Sequence, residues 1–165
     1  MFAAVFRHLV EFRGAQQLQN LHPLVVHYPI AFLTTSVPIY FLAWIIHSES
    51  LELIGLWLLG LGALAAAAAV TTGLLCNEGV MVAPSVRENI LVYHEWSMLA
   101  VLALSIVLAG WALLARPMPR KGRAYFMIGL VLMITVLAKG ADYGGWMVFG
   151  YNAGGSLPQP IEFSR

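Results

Sequence analysis

The sequence predicts an all-α polytopic membrane protein: an antiparallel bundle of four transmembrane helices with an N-terminal interfacial helix. Three observations predict it. Hydrophobic residues make up 60% of the 165 residues and charged ones only 10%, with a mean hydropathy of +0.79, whereas a soluble domain carries roughly 25% charge. Four apolar segments are each long enough to cross a hydrocarbon core, which takes about 20 residues at about 1.5 Å per residue. The stretches between them are short and hold the turn residues and charges, so that sequential helices pack antiparallel.

Residues 1–20, MFAAVFRHLVEFRGAQQLQN, come first. Phe2, Val5, Phe6, Leu9, Val10 and Phe12 recur near helical spacing, while Arg7, His8, Glu11 and Arg13 interrupt the apolar run. That pattern suits an amphipathic helix lying on the membrane surface and does not suit a signal peptide. The transmembrane domain then occupies 21–150, with spans expected at about 23–46, 51–76, 89–115 and 123–149, and residues 151–165 form a loop-like extracytoplasmic tail.

Orientation rests on Lys and Arg. The third loop and its edge hold Arg116, Arg120, Lys121 and Arg123, all juxtamembrane, whereas Arg7 and Arg165 on the other side lie far from any span. The positive-inside rule then puts the third loop in the cytoplasm and both termini outside.

Other classes drop out on composition. A net charge of +1 leaves no basic face for nucleic acid. A single cysteine, Cys76, excludes an intramolecular disulfide, a Cys-x-x-Cys site and covalent c-type haem attachment.

Candidate chemistry begins at the first span, Leu21-His-Pro-Leu-Val-Val-His-Tyr-Pro-Ile30. Pro23 fits the first helical turn, which puts His22 near the cap and His27 inside the membrane. Pro29 and Pro38 each remove a backbone donor, so that a kink is expected, with Thr34, Thr35 and Ser36 placed to bond the freed carbonyls. The second span carries Gly55, Gly60, Gly62, the alanines 65–69 and Gly73, which permit close helix contact and also leave room for a flat ligand.

In the third span, Tyr93-His94-Glu95-Trp96 brings a histidine to a comparable depth from the same face, roughly 6–9 Å below the helix end for both His27 and His94. In the fourth, Lys139 and Asp142 share a helix face and neutralise one another, and the stripe Thr135, Lys139, Asp142 or Tyr143, Trp146 is expected to look into the bundle. Intramembrane ionisable residues of this kind mark functional sites by default. Trp44, Trp57, Trp111 and Trp146 read as interfacial or lipid-facing anchors.

Two histidines facing each other without cysteine ligands suit the axial imidazoles of a b-type haem, with iron held by His27 and His94 and with His22, Tyr93, Asp142 and Lys139 as surrounding cofactor-binding candidates. The ring nitrogen away from iron needs an orienting acceptor, for which Asp142, Glu95 or a carbonyl is available. A quinone or quinol site would use His94 or Glu95 as proton acceptor and pack a ring on Tyr93, Trp96 or Tyr143. A bare metal site lacks any compact motif such as His-Glu-x-x-His.

The opening His-Pro-x-x-Val-His-Tyr-Pro-Ile resembles the signature of a bacterial four-helix membrane family known as a domain of unknown function, whose second histidine is often followed by Phe. The resemblance runs from Leu21 to about Gly154 and includes His94 and the Gly-rich close of the fourth span. Members often occur beside, or fused to, Rieske or cytochrome-type redox domains. The resemblance therefore implies electron transfer, with the chain as a subunit of a respiratory or photosynthetic complex and a c-type cytochrome or Rieske protein as partner. The alternative is a cofactor-free scaffold subunit; both are subunits rather than stand-alone enzymes.

Overall fold

The computed structural model describes residues 20–76 and 82–153, and the surface segment 1–19, including His8, lies outside that range. All regular structure among the described residues is helical. Four helices are long and apolar enough to cross a membrane: His22–Ile46, Glu49–Cys76, Pro84–Ala115 and Arg123–Tyr151.

The first span is two helical pieces, His22–Val25 and His27–Ile46, separated at Val26. Pro29 explains the interruption: it has no N–H for the Val25 carbonyl, and the next bond, Ile30 N–H to Val26 O, is long at 3.4 Å. Pro38 sits inside the helix proper. The hydroxyls expected to rescue proline-freed carbonyls do something else. Thr34 donates to the Ile30 and Ala31 carbonyls and Ser36 to Leu33, each satisfying itself on its own preceding turn.

The third span starts at Pro84, upstream of the expected Asn89, with Ala83 as its N-cap and Pro84 in the first turn. It passes through one turn of π-helix, Arg87–Leu91, before the regular helix Val92–Ala115.

Packing registers are readable from close approaches. Gly73 lies under His22, Gly62 under Leu33 and Gly55 under Tyr40, so the residue numbers of the first two spans run in opposite senses. Gly144 under His94, Gly140 under Ser97 and Gly129 under Leu108 do the same for the last two. The helices are therefore antiparallel neighbours in sequence order, with the second span between first and third and a thinner contact between first and fourth closing the ring. Small residues supply the close backbone approach that helix association in lipid needs, because apolar burial gives it no drive there.

The core is concentrated toward the end that carries the first and third loops. Tyr40 and Phe126 are fully buried and meet edge to face, with centroids 5.1 Å apart, and Trp111 packs edge-on to Phe126 from the other side. Trp111 is thus part of the packed interior, unlike Trp57, which is exposed as an outward anchor should be. Leu33, Leu130, Met133 and Met118 complete this end, and outward-facing residues such as Leu75, Leu114 and Phe149 present apolar surface to the surroundings.

Candidate functional site

At the opposite end the four spans part around a cavity of about 360 Å³. Its walls are mostly apolar, and every span contributes: Val26 and Pro29 from the first, Ala66, Ala69 and Gly73 from the second, Met98 and Leu99 from the third, Ala141, Gly144 and Gly145 from the fourth. Cavities of about 300–1,000 Å³ with apolar walls and few convergent polar groups are the usual form of a small-molecule site. The polar groups here are chiefly imidazoles, since His22, His27 and His94 all line the space, with Glu95 and Asn20 beside them.

Two of these rings are fastened in the same way. His94 Nδ1 lies 2.8 Å from the Gly140 carbonyl oxygen. A carbonyl only accepts, so Nδ1 carries the hydrogen, and in the neutral ring Nε2 keeps the lone pair. The ring rests on the fourth span, where a Cβ on Gly144 would come within 3.2 Å of Cε1. His22 Nδ1 lies 3.1 Å from Thr72 Oγ1, and the Thr72 hydroxyl in turn donates to the Ala69 carbonyl at 2.9 Å. The Thr72 hydroxyl is directed at Ala69, and in that arrangement His22 Nδ1 is the donor to Thr72, with the Ala69 carbonyl also within reach of the ring. Its Nε2 too is left with a lone pair. This ring rests on the second span, where a Cβ on Gly73 would meet Cε1 at 3.0 Å.

His22 and His94 are also within electrostatic reach of each other. His27 lines the same cavity but is exposed, and its ring has no hydrogen-bond partner among the described residues. The pair that the packing fastens is therefore His22 with His94. Pro29 decides this in part, because the interrupted helix turns the His22 segment onto the second span.

A family described as predicted membrane protein (DUF2231) matches residues 18–156. The chain belongs to the DUF2231 family. No curated protein and no solved structure matches it.

Elsewhere in this DUF2231 bundle, two sequence expectations are corrected. Lys139 and Asp142 do pair, Nζ to Oδ2 at 2.8 Å, but their side chains are 59% and 64% exposed, and the stripe looks out of the bundle. The reason is helical phase. Met133, Leu137, Gly140 and Met147 face inward, whereas Thr135, Lys139 and Asp142 each sit two residues after one of the first three, roughly 200° around the helix, and Trp146 lies one turn on from Asp142. Tyr93 is likewise outside the cavity, exposed and stacked on Tyr143 with centroids 6.0 Å apart, while Lys139 Nζ lies 4.6 Å over the same Tyr143 ring. Lys139, Asp142 and Tyr93 are therefore not among the residues that line the cavity with the histidines.

The sequence reading missed Thr72 and the Gly140 carbonyl, which fasten the imidazoles. Gly73 was visible as a small residue, but a backbone carbonyl carries no side-chain signal at all. It also passed over Glu52, which is 1% exposed and accepts from Arg120 Nη1 at 2.7 Å, at the far end of the molecule.

Proposed function

We propose that this protein is a membrane subunit of an electron-transfer complex that holds one b-type haem in the histidine cavity, with His22 and His94 as the axial imidazoles. The observation that carries the reading is the matched pair of rings, each tied at Nδ1 and each left with an Nε2 lone pair, on an apolar cavity between four helices. Neutral imidazole nitrogen is a strong iron ligand, and a hydrogen bond from the other nitrogen fixes the tautomer that ligation needs. Among the described residues, no three His, Cys, Asp or Glu gather to hold a bare ion. A macrocycle needs only two protein ligands, which the pair supplies.

The small residues Ala66, Ala69 and Gly73 on one wall and Ala141, Gly144 and Gly145 on the other leave a space suited to a flat group. When bound, the haem would supply one-electron transfer between the quinol pool and an extracytoplasmic partner such as a c-type cytochrome or a Rieske protein. The chain's own part is to hold the ring planes, exclude water with apolar walls and keep the cavity near one membrane surface. With both termini outside, that surface is the periplasmic one.

The test is a reduced-minus-oxidised spectrum of the natively expressed protein in detergent, with a pyridine haemochrome assay. One b-type haem per chain is expected, lost in His94→Ala and His22→Ala and kept in His27→Ala. A colourless, well-folded protein would overturn the reading in favour of a cofactor-free scaffold.

A further inference from the structure

The first span offers two histidines to the cavity, five residues apart in sequence, and nothing in their residue type separates them. What separates them is the neighbouring helix. We propose that Thr72, with Gly73 beneath the ring, is a positioning residue that selects His22 over His27 as the first-span ligand, by holding its imidazole in the Nδ1–H tautomer. The proposal rests on the haem reading for the identity of the ligand, but the tautomer itself is a property of the chain alone.

Three features on the second span act together. The Thr72 hydroxyl is committed to the Ala69 carbonyl at 2.9 Å, a bond back to its own preceding turn, so its oxygen faces His22 only as an acceptor. His22 Nδ1 at 3.1 Å then donates, with the Ala69 carbonyl also close to the ring. Gly73 lets the ring lie against the helix: a Cβ there would stand 3.0, 3.3 and 3.5 Å from Cε1, Nδ1 and Nε2, close to the whole Nδ1–Nε2 edge. At its other end the His22 backbone N–H is held by Asn20 Oδ1 at 3.0 Å, which anchors the segment ahead of Pro23. The order hydroxyl, then glycine, thus builds a seat for one imidazole.

His94 has a counterpart seat on the fourth span, with the Gly140 carbonyl as acceptor and Gly144 under the ring. Each antiparallel pair of helices, first on second and third on fourth, therefore presents one imidazole with its Nε2 free. The two seats differ in one respect that makes the Thr72 seat testable. A backbone carbonyl cannot be removed by substitution, whereas a hydroxyl can be replaced by the near-isosteric methyl of valine.

The experiment uses the full chain with ring-15N-labelled histidine in detergent, His22 being assigned through His22→Gln. In the wild type, the His22 ring is expected to show a protonated Nδ1 and an unprotonated Nε2 whether or not haem is present. Thr72→Val should abolish that fixed tautomer, and Thr72→Ser should restore it. In haem-loaded protein, Thr72→Val should weaken haem retention by about 10–100-fold, the usual effect of removing the partner of a ligating histidine, and should shift the midpoint potential, again with rescue by serine. A wild-type His22 carrying its proton on Nε2, or a tautomer indifferent to Thr72→Val, would overturn the proposal even if haem is bound. The expected tautomer in a protein that takes no haem would uphold the Thr72 seat and defeat only the haem reading.

Discussion

The two ends of this bundle are made from the same apolar alphabet and do opposite things. At the end carrying the first and third loops, large rings fill the axis: Tyr40, Phe126 and Trp111 interlock, Met118 plugs the loop side, and the Tyr40 hydroxyl donates to the Pro117 carbonyl at 3.2 Å. Arg120 reaches down from the third loop to the buried Glu52 and straps the loop over the helices. At the histidine end, alanine and glycine stand where those rings would be, and the result is a cavity. The comparison teaches that residue size, rather than polarity, separates a closed end from an open one in a membrane bundle. Well-packed interiors tolerate neither missing nor extra volume, so the two ends should respond oppositely to the same kind of substitution.

The largest effect is expected at the closed end. Tyr40→Ala removes a fully buried ring that touches Phe126 and lies over Gly55, and should destabilise the fold by about 3–5 kcal/mol, the usual range for deleting a buried aromatic. Unfolding by SDS in mixed micelles measures it, and a loss below about 1 kcal/mol would mean that this end is not the packed core. Next comes a paired test of added volume. Gly62→Ala drives a Cβ into Leu33 and should cost about 1–3 kcal/mol. Ala66→Leu, on the cavity wall, should cost less while reducing retention of the proposed haem. If both cost the same, the cavity closes up in solution and the contrast between the ends fails. The smallest effect belongs to the outward stripe. Lys139→Gln with Asp142→Asn should leave the visible spectrum unaltered, because the pair lies outside the cavity. A lost spectrum would return these residues to the site.

Much of the site was legible, though not its decisive geometry. The histidines stood out because an ionisable group in an apolar run is costly and needs a reason. His94 and His27 both line the cavity, but His27 lacks the anchor that His22 has. Sequence spacing put His27 and His94 at similar depths and had no access to Thr72, fifty positions away from His22, nor to the Gly140 carbonyl. The rule that intramembrane charges face inward points Lys139 and Asp142 to the interior, and their mutual pairing lets them break it.

What the sequence determined by itself is the set of four spanning helices. Backbone groups in hydrocarbon must bond within their own segment, so a long, predominantly apolar run becomes a helix whatever surrounds it. What only the tertiary structure decided is which face of each helix turns inward. In water an amphipathic pattern marks the buried side, but here lipid and core are equally apolar, and both sides of a span read alike. The inward face is chosen by which small residues let two backbones approach. On the fourth span that choice fell to Gly140 and Gly144, which turned His94 onto one seat and sent Lys139 and Asp142 to the outside.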